Sequence, residues 1–141
     1  MAERAERLRC PSAQPDMEDA RVFGVIAGTP EAPRVAYLKR SAVVDDAMLA
    51  KLDGMDPTHV FRFSAKCEEH RCAHFANGCC SLGQRIAERL EPVVAELPSC
   101  QLRADCRWYA EAGGAACLRC PQITTLIPAG SGPVSDVALP D

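Results

Sequence analysis

Two stretches, CEEHRCAHFANGCC over residues 67–80 and CQLRADCRWYAEAGGAACLRC over residues 100–120, hold eight of the nine cysteines in this 141-residue chain. The residues between consecutive cysteines number four, six and none in the first group, and five, ten and two in the second. Thiols at this density are metal ligands, redox groups or cross-links, and the spacing has to choose among them.

Iron–sulfur clusters take thiolates from irregular loops and tolerate uneven intervals. The run Cys117-Leu118-Arg119-Cys120-Pro121 is similar to ferredoxin-like loops in its CxxC pair and trailing proline, over five residues and no further. Structural zinc prefers knuckles with two to four residues between paired ligands, which Cys117/Cys120 satisfies and Cys67/Cys72 meets only at the margin. A CxxC thiol oxidoreductase needs its pair after an early strand and at a helix start, whereas Cys117/Cys120 falls near the end, after Gly113-Gly114. A disulfide framework has an even number of cysteines in its favour and the expected compartment against it. The ranking is therefore an iron–sulfur cluster, 4Fe-4S by preference, acting in electron transfer, redox sensing or as an accessory subunit. A zinc-stabilised protein-interaction module is the alternative, and a CxxC thiol oxidoreductase comes third.

The expected metal ligands are Cys67, Cys72, Cys79, Cys80, Cys100, Cys106, Cys117 and Cys120, with His74 as a supplementary one. Adjacent side chains diverge, so Cys79 and Cys80 should have different fates. Cys80 is favoured, because it precedes a helix start whose free N–H groups lower a thiol pKa. Seven convincing thiols are one short of two four-thiolate sites. Cys79 or a histidine should complete the second site, unless one site exists and the remaining thiols are structural. Cys10 is expected to be incidental. Trp108 and Tyr109 are the candidate cofactor-flanking residues, since burial tunes a cluster's potential. Arg103, Arg107 and Arg119 can offset thiolate charge. His70 reads as a solvated loop residue, and His59, in phase with Phe61 and Phe63, as a core histidine.

Between the two groups, Ser81 and Gln84 have capping-box spacing. Leu82, Ile86, Leu90, Val93 and Leu97 then form one apolar helical face, which Pro92 should kink or divide. A shorter helix is expected over 106–112. Before the cysteines, Val22–Ala27 and Val35–Leu38 read as strands, and Asp45 as the cap of a helix stopped by Gly54. His59–Ala65 alternates, with Phe61 and Phe63 on one face and Arg62 and Ser64 on the other; continued, it would bring Cys67 to the Phe face. The expected class is α+β: a small sheet with one helix in the N-terminal half, then a cysteine-rich half of helices and loops. Residues 1–20 are expected to be a flexible arm and 21–127 one domain, with an α+β part to 65 and a metal-binding part from 66. The Gly-, Pro- and Ser-rich residues 128–141 are expected to be a disordered tail.

Composition bounds the remainder. Aromatics are only 5% of residues, so the core must rest on aliphatic side chains and bound groups. Net charge is −3 with cations interleaved among acids, which gives no basic stripe for nucleic acid. No stretch approaches the ~20 apolar residues of a membrane span. Met1 opens without an apolar secretory segment, so a reducing, cytoplasmic setting is expected. With no phosphate loop and no nucleophile–base arrangement, a binding protein with a redox partner is expected and not an enzyme; oligomeric state is not legible.

Overall fold

The computed structural model describes residues 8–29, 33–69, 72–76 and 78–123. Its centre is a four-stranded antiparallel sheet of β1 (Arg9–Ala13), β2 (Arg21–Gly28), β3 (Pro33–Val43) and β4 (Phe61–Lys66), in the order β1-β4-β2-β3. Short helices α1 (Asp46–Ala50) and α2 (Pro57–Val60) join β3 to β4. The Asp45 carboxylate accepts from Met48 N at 2.8 Å, closing the start of α1 as the sequence predicts. Residues 59 and 60 belong to α2, however, so the expected strand begins at Phe61, and it is Thr58, not His59, that is buried. Asp56 accepts from the Thr58 amide and hydroxyl and starts this helix instead.

Residues 9–13 correct the expectation of a flexible arm. They pair with β4, Cys10 opposite Ala65 and Ala13 opposite Phe63. Leu8, Pro11, Ala13 and Ala20 are buried, and Arg9 binds Ser64 and Asp19. Apolar side chains at alternate positions suffice for a strand whose neighbour supplies the ladder, even without a long apolar period. Residues 1–7 and the expected tail at 128–141 lie outside the described residues.

One sheet face carries Ala13, Ala20, Val22, Phe63 and Ala65, with Met17, Leu38, Met48 and Phe61 packed at its rim. At Gly24, where the β2 register shifts, an added Cβ would stand 2.5 Å from Val35 Cγ1, so close strand approach requires glycine. The other face displays Arg62 and Ser64, as the alternation predicts, and both are fully buried: Arg62 lies against Trp108 and Cys120, and Arg9 bonds Ser64.

Those helices are α3 (Ser81–Arg89), α4 (Arg107–Ala112) and α5 (Gly114–Cys117), with 3-10 turns at Arg103–Asp105 and Cys120–Gln122. A two-stranded hairpin of β5 (Phe75–Ala76) and β6 (Cys79–Cys80) precedes them, with Gly78 at φ 78 in its turn. Helix α3 ends at Arg89 with Leu90 extended, so Pro92 divides the apolar run and does not kink it, and Leu97 is exposed. Its N-cap is Cys80, and Ser81 Oγ donates to His74 O at 2.6 Å, which replaces the expected capping box. Leu82, Ile86, Leu90, Trp108, Ala116 and Ile123 form a second core with Cys80. The class is thus mixed α+β, but not two successive halves. Strand β1, from the N-terminus, contacts α4, and the last 3-10 turn contacts β3. Among the described residues no helix is long and apolar enough to cross a membrane.

Candidate metal centre

Cys100, Cys106, Cys117 and Cys120 line one cleft, of about 360 Å³ counting its open mouth. Different elements deliver them. Cys100 follows the Pro98 loop, Cys106 precedes α4, Cys117 ends α5 and Cys120 opens the last 3-10 turn. Gly113, at φ 69, reverses the chain between α4 and α5, so the long gap between Cys106 and Cys117 closes on itself. The sheet supplies Pro11, Phe23 and Tyr37 as the opposite wall. Trp108 and Tyr109 also line the cleft, as the sequence reading expects of cofactor-flanking residues. Trp108 is 2% exposed, and an added Cβ on Gly83 would stand 2.6 Å from its Cδ1, so glycine in α3 admits the indole.

The electrostatics of this cleft favour an anion once thiols ionise. Arg62 donates from Nε to Pro11 O at 2.9 Å and from Nη1 to Cys120 O at 2.7 Å. Its guanidinium carbon lies 5.3 Å from the Phe23 ring centre and 5.4 Å from that of Trp108, a cation between two π faces. Burial works against its charge, but the neighbouring Cys120, Tyr37 and Cys106 outweigh that and hold its pKa above the ordinary arginine value. Arg103, over the Tyr109 ring at 5.8 Å, has its charge sustained in the same way by Cys117 and Cys100. Burial raises the Cys100 thiol and pushes Cys106 up to about 12, with Cys120 adding to both. Metal-free, these two thiols hold their protons at neutral pH; a bound cation would displace them, as thiolate ligation requires.

Cys10, Cys67, Cys72 and Cys80 lie near one another. Cys67 donates its backbone N–H to Leu8 O at 3.3 Å, and Phe75 pairs with Cys80 across the hairpin. The Cys10 thiol is pushed up to about 12 by burial, and the neighbouring Cys80, Cys67 and Cys72 add to the shift. Cys67 is placed beside Arg107 of α4 and not by continuation of the β4 alternation, which ends at Lys66. Burial also raises Cys80, while the amides of Gly83 and Leu82 and the Trp108 side chain lower it. The helix start therefore acts on Cys80 in the expected direction and is overridden by desolvation. Glu111 accepts from Cys80 N at 2.8 Å and from Arg107 at 3.0 Å.

Two further sequence-predicted residues lie on or beside the hairpin. Cys79 is opposite Ala76. His74 Nδ1 is 2.9 Å from Arg85 Nη2. A guanidinium has no acceptor, so Nδ1 accepts and the ring is neutral with its proton on Nε2. Burial and the Arg85 charge both lower its pKa. This nitrogen is already committed, and the ring is a structural partner of Arg85. His70 lies outside the described residues. Arg119 bonds Leu90 O and Ala115 O, a backbone tie and not a counter-charge. Cys10, expected to be incidental, is likewise followed by a proline, as Cys120 is.

All nine cysteines are free thiols. Among the described residues no three His, Cys, Asp or Glu stand close enough to share one metal ion. A tetrahedral zinc ion holds its sulfurs about 2.3 Å from its centre, hence roughly 3.8 Å from one another. Arg62 Nη2, Arg103 Nε and Arg107 Nε are buried without a hydrogen-bond partner, and all three belong to residues beside the cysteine groups. Buried N–H groups seldom go unpaired, and hydrogen bonds to cluster sulfurs are a known lever on cluster potential. Comparison with family models, with curated proteins and with solved structures finds no match.

Proposed function

We propose that this chain is an iron–sulfur protein whose cluster, 4Fe-4S by ligand number, is held by Cys100, Cys106, Cys117 and Cys120 in the cleft they line. The observation that carries this is the convergence of four thiols, the Arg103 guanidinium and the Trp108 indole on a single cleft, with the buried Arg62 guanidinium bonded to the Cys120 carbonyl beside it. Such a group would supply a one-electron couple. The protein's own residues would do the rest. Arg62 and Arg103 compensate the net negative charge of the ligated centre, Trp108 and Phe23 keep water away, and the part-exposed Tyr109, Cys117 and Cys120 present the site to a redox partner protein. We place it in a reducing, cytoplasmic setting because the thiols are free. A zinc site fits the ligand chemistry but not the spacing of the thiols. A thiol oxidoreductase would want a depressed thiol pKa, whereas burial raises Cys100 and Cys106.

The test is metal and acid-labile sulfide analysis of protein isolated without oxygen, with Cys117→Ser, Cys120→Ser and His74→Gln beside the wild type. Brown protein containing iron and sulfide is expected, losing absorbance near ~400 nm in both serine variants and keeping it in His74→Gln. Colourless protein with stoichiometric zinc, or full iron in both serine variants, refutes the assignment.

A further inference from the structure

We propose that Cys10, Cys67, Cys72 and Cys80 hold a second iron–sulfur centre, joined to the first through α4. The proposal rests on the reading of the first cleft and extends it. Its geometry comes from three parts of the chain. Strand β1 carries Cys10 opposite Ala65, and the Leu8 carbonyl accepts from Cys67 N, so the end of β4 brings Cys67 beside β1. Cys72 lies in a tight loop, where its N–H donates to Glu69 O at 2.8 Å and its carbonyl accepts from Phe75 N at 3.1 Å. The β5–β6 hairpin then returns the chain to Cys80, which is buried.

A second observation marks this place as a site. Arg107 is 5% exposed and its Nε has no hydrogen-bond partner, although its two terminal nitrogens reach Glu111 at 3.0 Å and Glu69 at 3.6 Å. Its guanidinium also lies over the Phe75 ring at 5.3 Å. A buried cation beside Cys67 parallels Arg62 beside Cys120. The proposal also resolves the arithmetic of the chain, because Cys10 makes two complete sets of four and leaves Cys79 spare.

The two groups adjoin. Arg9 and Cys106 form a backbone bridge, which places the neighbour of Cys10 against a ligand of the first cleft. Trp108 lines that cleft and packs on Gly83, in the first turn after Cys80. Two one-electron centres this close would exchange electrons through one indole and one turn of α4. An electron entering at the open mouth would thereby reach the second centre.

The experiment measures iron, zinc and sulfide per chain in anaerobically reconstituted full-length wild type, Cys10→Ser, Cys79→Ser and Cys117→Ser. It adds electron paramagnetic resonance of the reduced wild type. Iron should fall about twofold in Cys10→Ser and in Cys117→Ser, and remain at the wild-type level in Cys79→Ser. The reduced wild type should give the broadened spectrum of two interacting spins. Unchanged iron in Cys10→Ser, loss of iron in Cys79→Ser, or zinc in place of half the iron overturns the second centre and leaves the first standing. Wild type that binds no iron sinks the reading beneath both. If Cys10→Ser fails to fold by far-ultraviolet circular dichroism, the wild-type spectrum decides: an isolated single-centre signal overturns the proposal.

Discussion

Replacing Arg62 by Met keeps the length of the side chain and removes its fork. In the native protein that fork spans strand β1 and the final cysteine turn, 51 and 58 residues away along the chain. The substitution leaves Pro11 O and Cys120 O without their donor. A buried acceptor stripped of its partner costs about 1–3 kcal/mol. Loss of the two ring contacts adds about 1 kcal/mol. Against this stands relief from burying a charge, which at sites with apolar replacements recovers about 1–4 kcal/mol. The net expectation is a metal-free protein destabilised by about 2 kcal/mol, a shift of roughly thirtyfold in the unfolding constant. The loaded protein should lose more, because Arg62 there also offsets ligand charge. Arg62→Lys should fall between, since one ammonium cannot reach both carbonyls in the fork geometry. Urea unfolding, followed by circular dichroism without oxygen, measures both forms. If Arg62→Met matches the wild type within about 0.5 kcal/mol in both, the fork is not what ties the layers together.

Two further perturbations test the packing and the surface. Gly83→Ala should destabilise by about 1–2 kcal/mol even though alanine favours helices by about 1 kcal/mol, because its Cβ meets an indole that Arg62 and the core prevent from moving. The single tryptophan reports the displacement by its emission, and an unchanged spectrum with raised stability would contradict the contact. Arg9 holds the Asp19 carboxyl below the usual range through a 2.6 Å ion pair, with Arg21 assisting. A depressed folded pKa stabilises the protein above the unfolded value near ~3.9 and loses that contribution as pH falls through the folded one. Asp19→Asn should therefore cost under about 1 kcal/mol at neutral pH, the half-exposed pair being screened, and nothing at the acid end. Equal stability of variant and wild type from neutral pH down to pH ~3 would show that the pair anchors nothing.

Much of the local structure was legible in the sequence for a physical reason: it depends on neighbours in the chain. The Asp45 cap, the β2 strand, the α3 helix ended before Pro92, and the Gly113 reversal each follow from side chains within a few residues. The clustering of cysteines and the place of Trp108 and Tyr109 beside them were equally local, since both aromatics follow Cys106 within one helical turn.

What only the tertiary structure decided is which distant groups share a space. Alternation along β4 placed Arg62 and Ser64 on one face, but the Trp108 and Cys120 segments that bury Arg62 come from far along the chain, and no periodicity within a strand records them. Residues 9–13 looked like an arm because a five-residue strand has too little pattern of its own; it is stable because β4 supplies its hydrogen bonds. Cys10 lies near Cys67, Cys72 and Cys80 for the same reason, and the His74 ring is engaged by a guanidinium eleven residues away. Short-range chemistry determines what each segment can be, whereas long-range burial and pairing determine whose company it keeps.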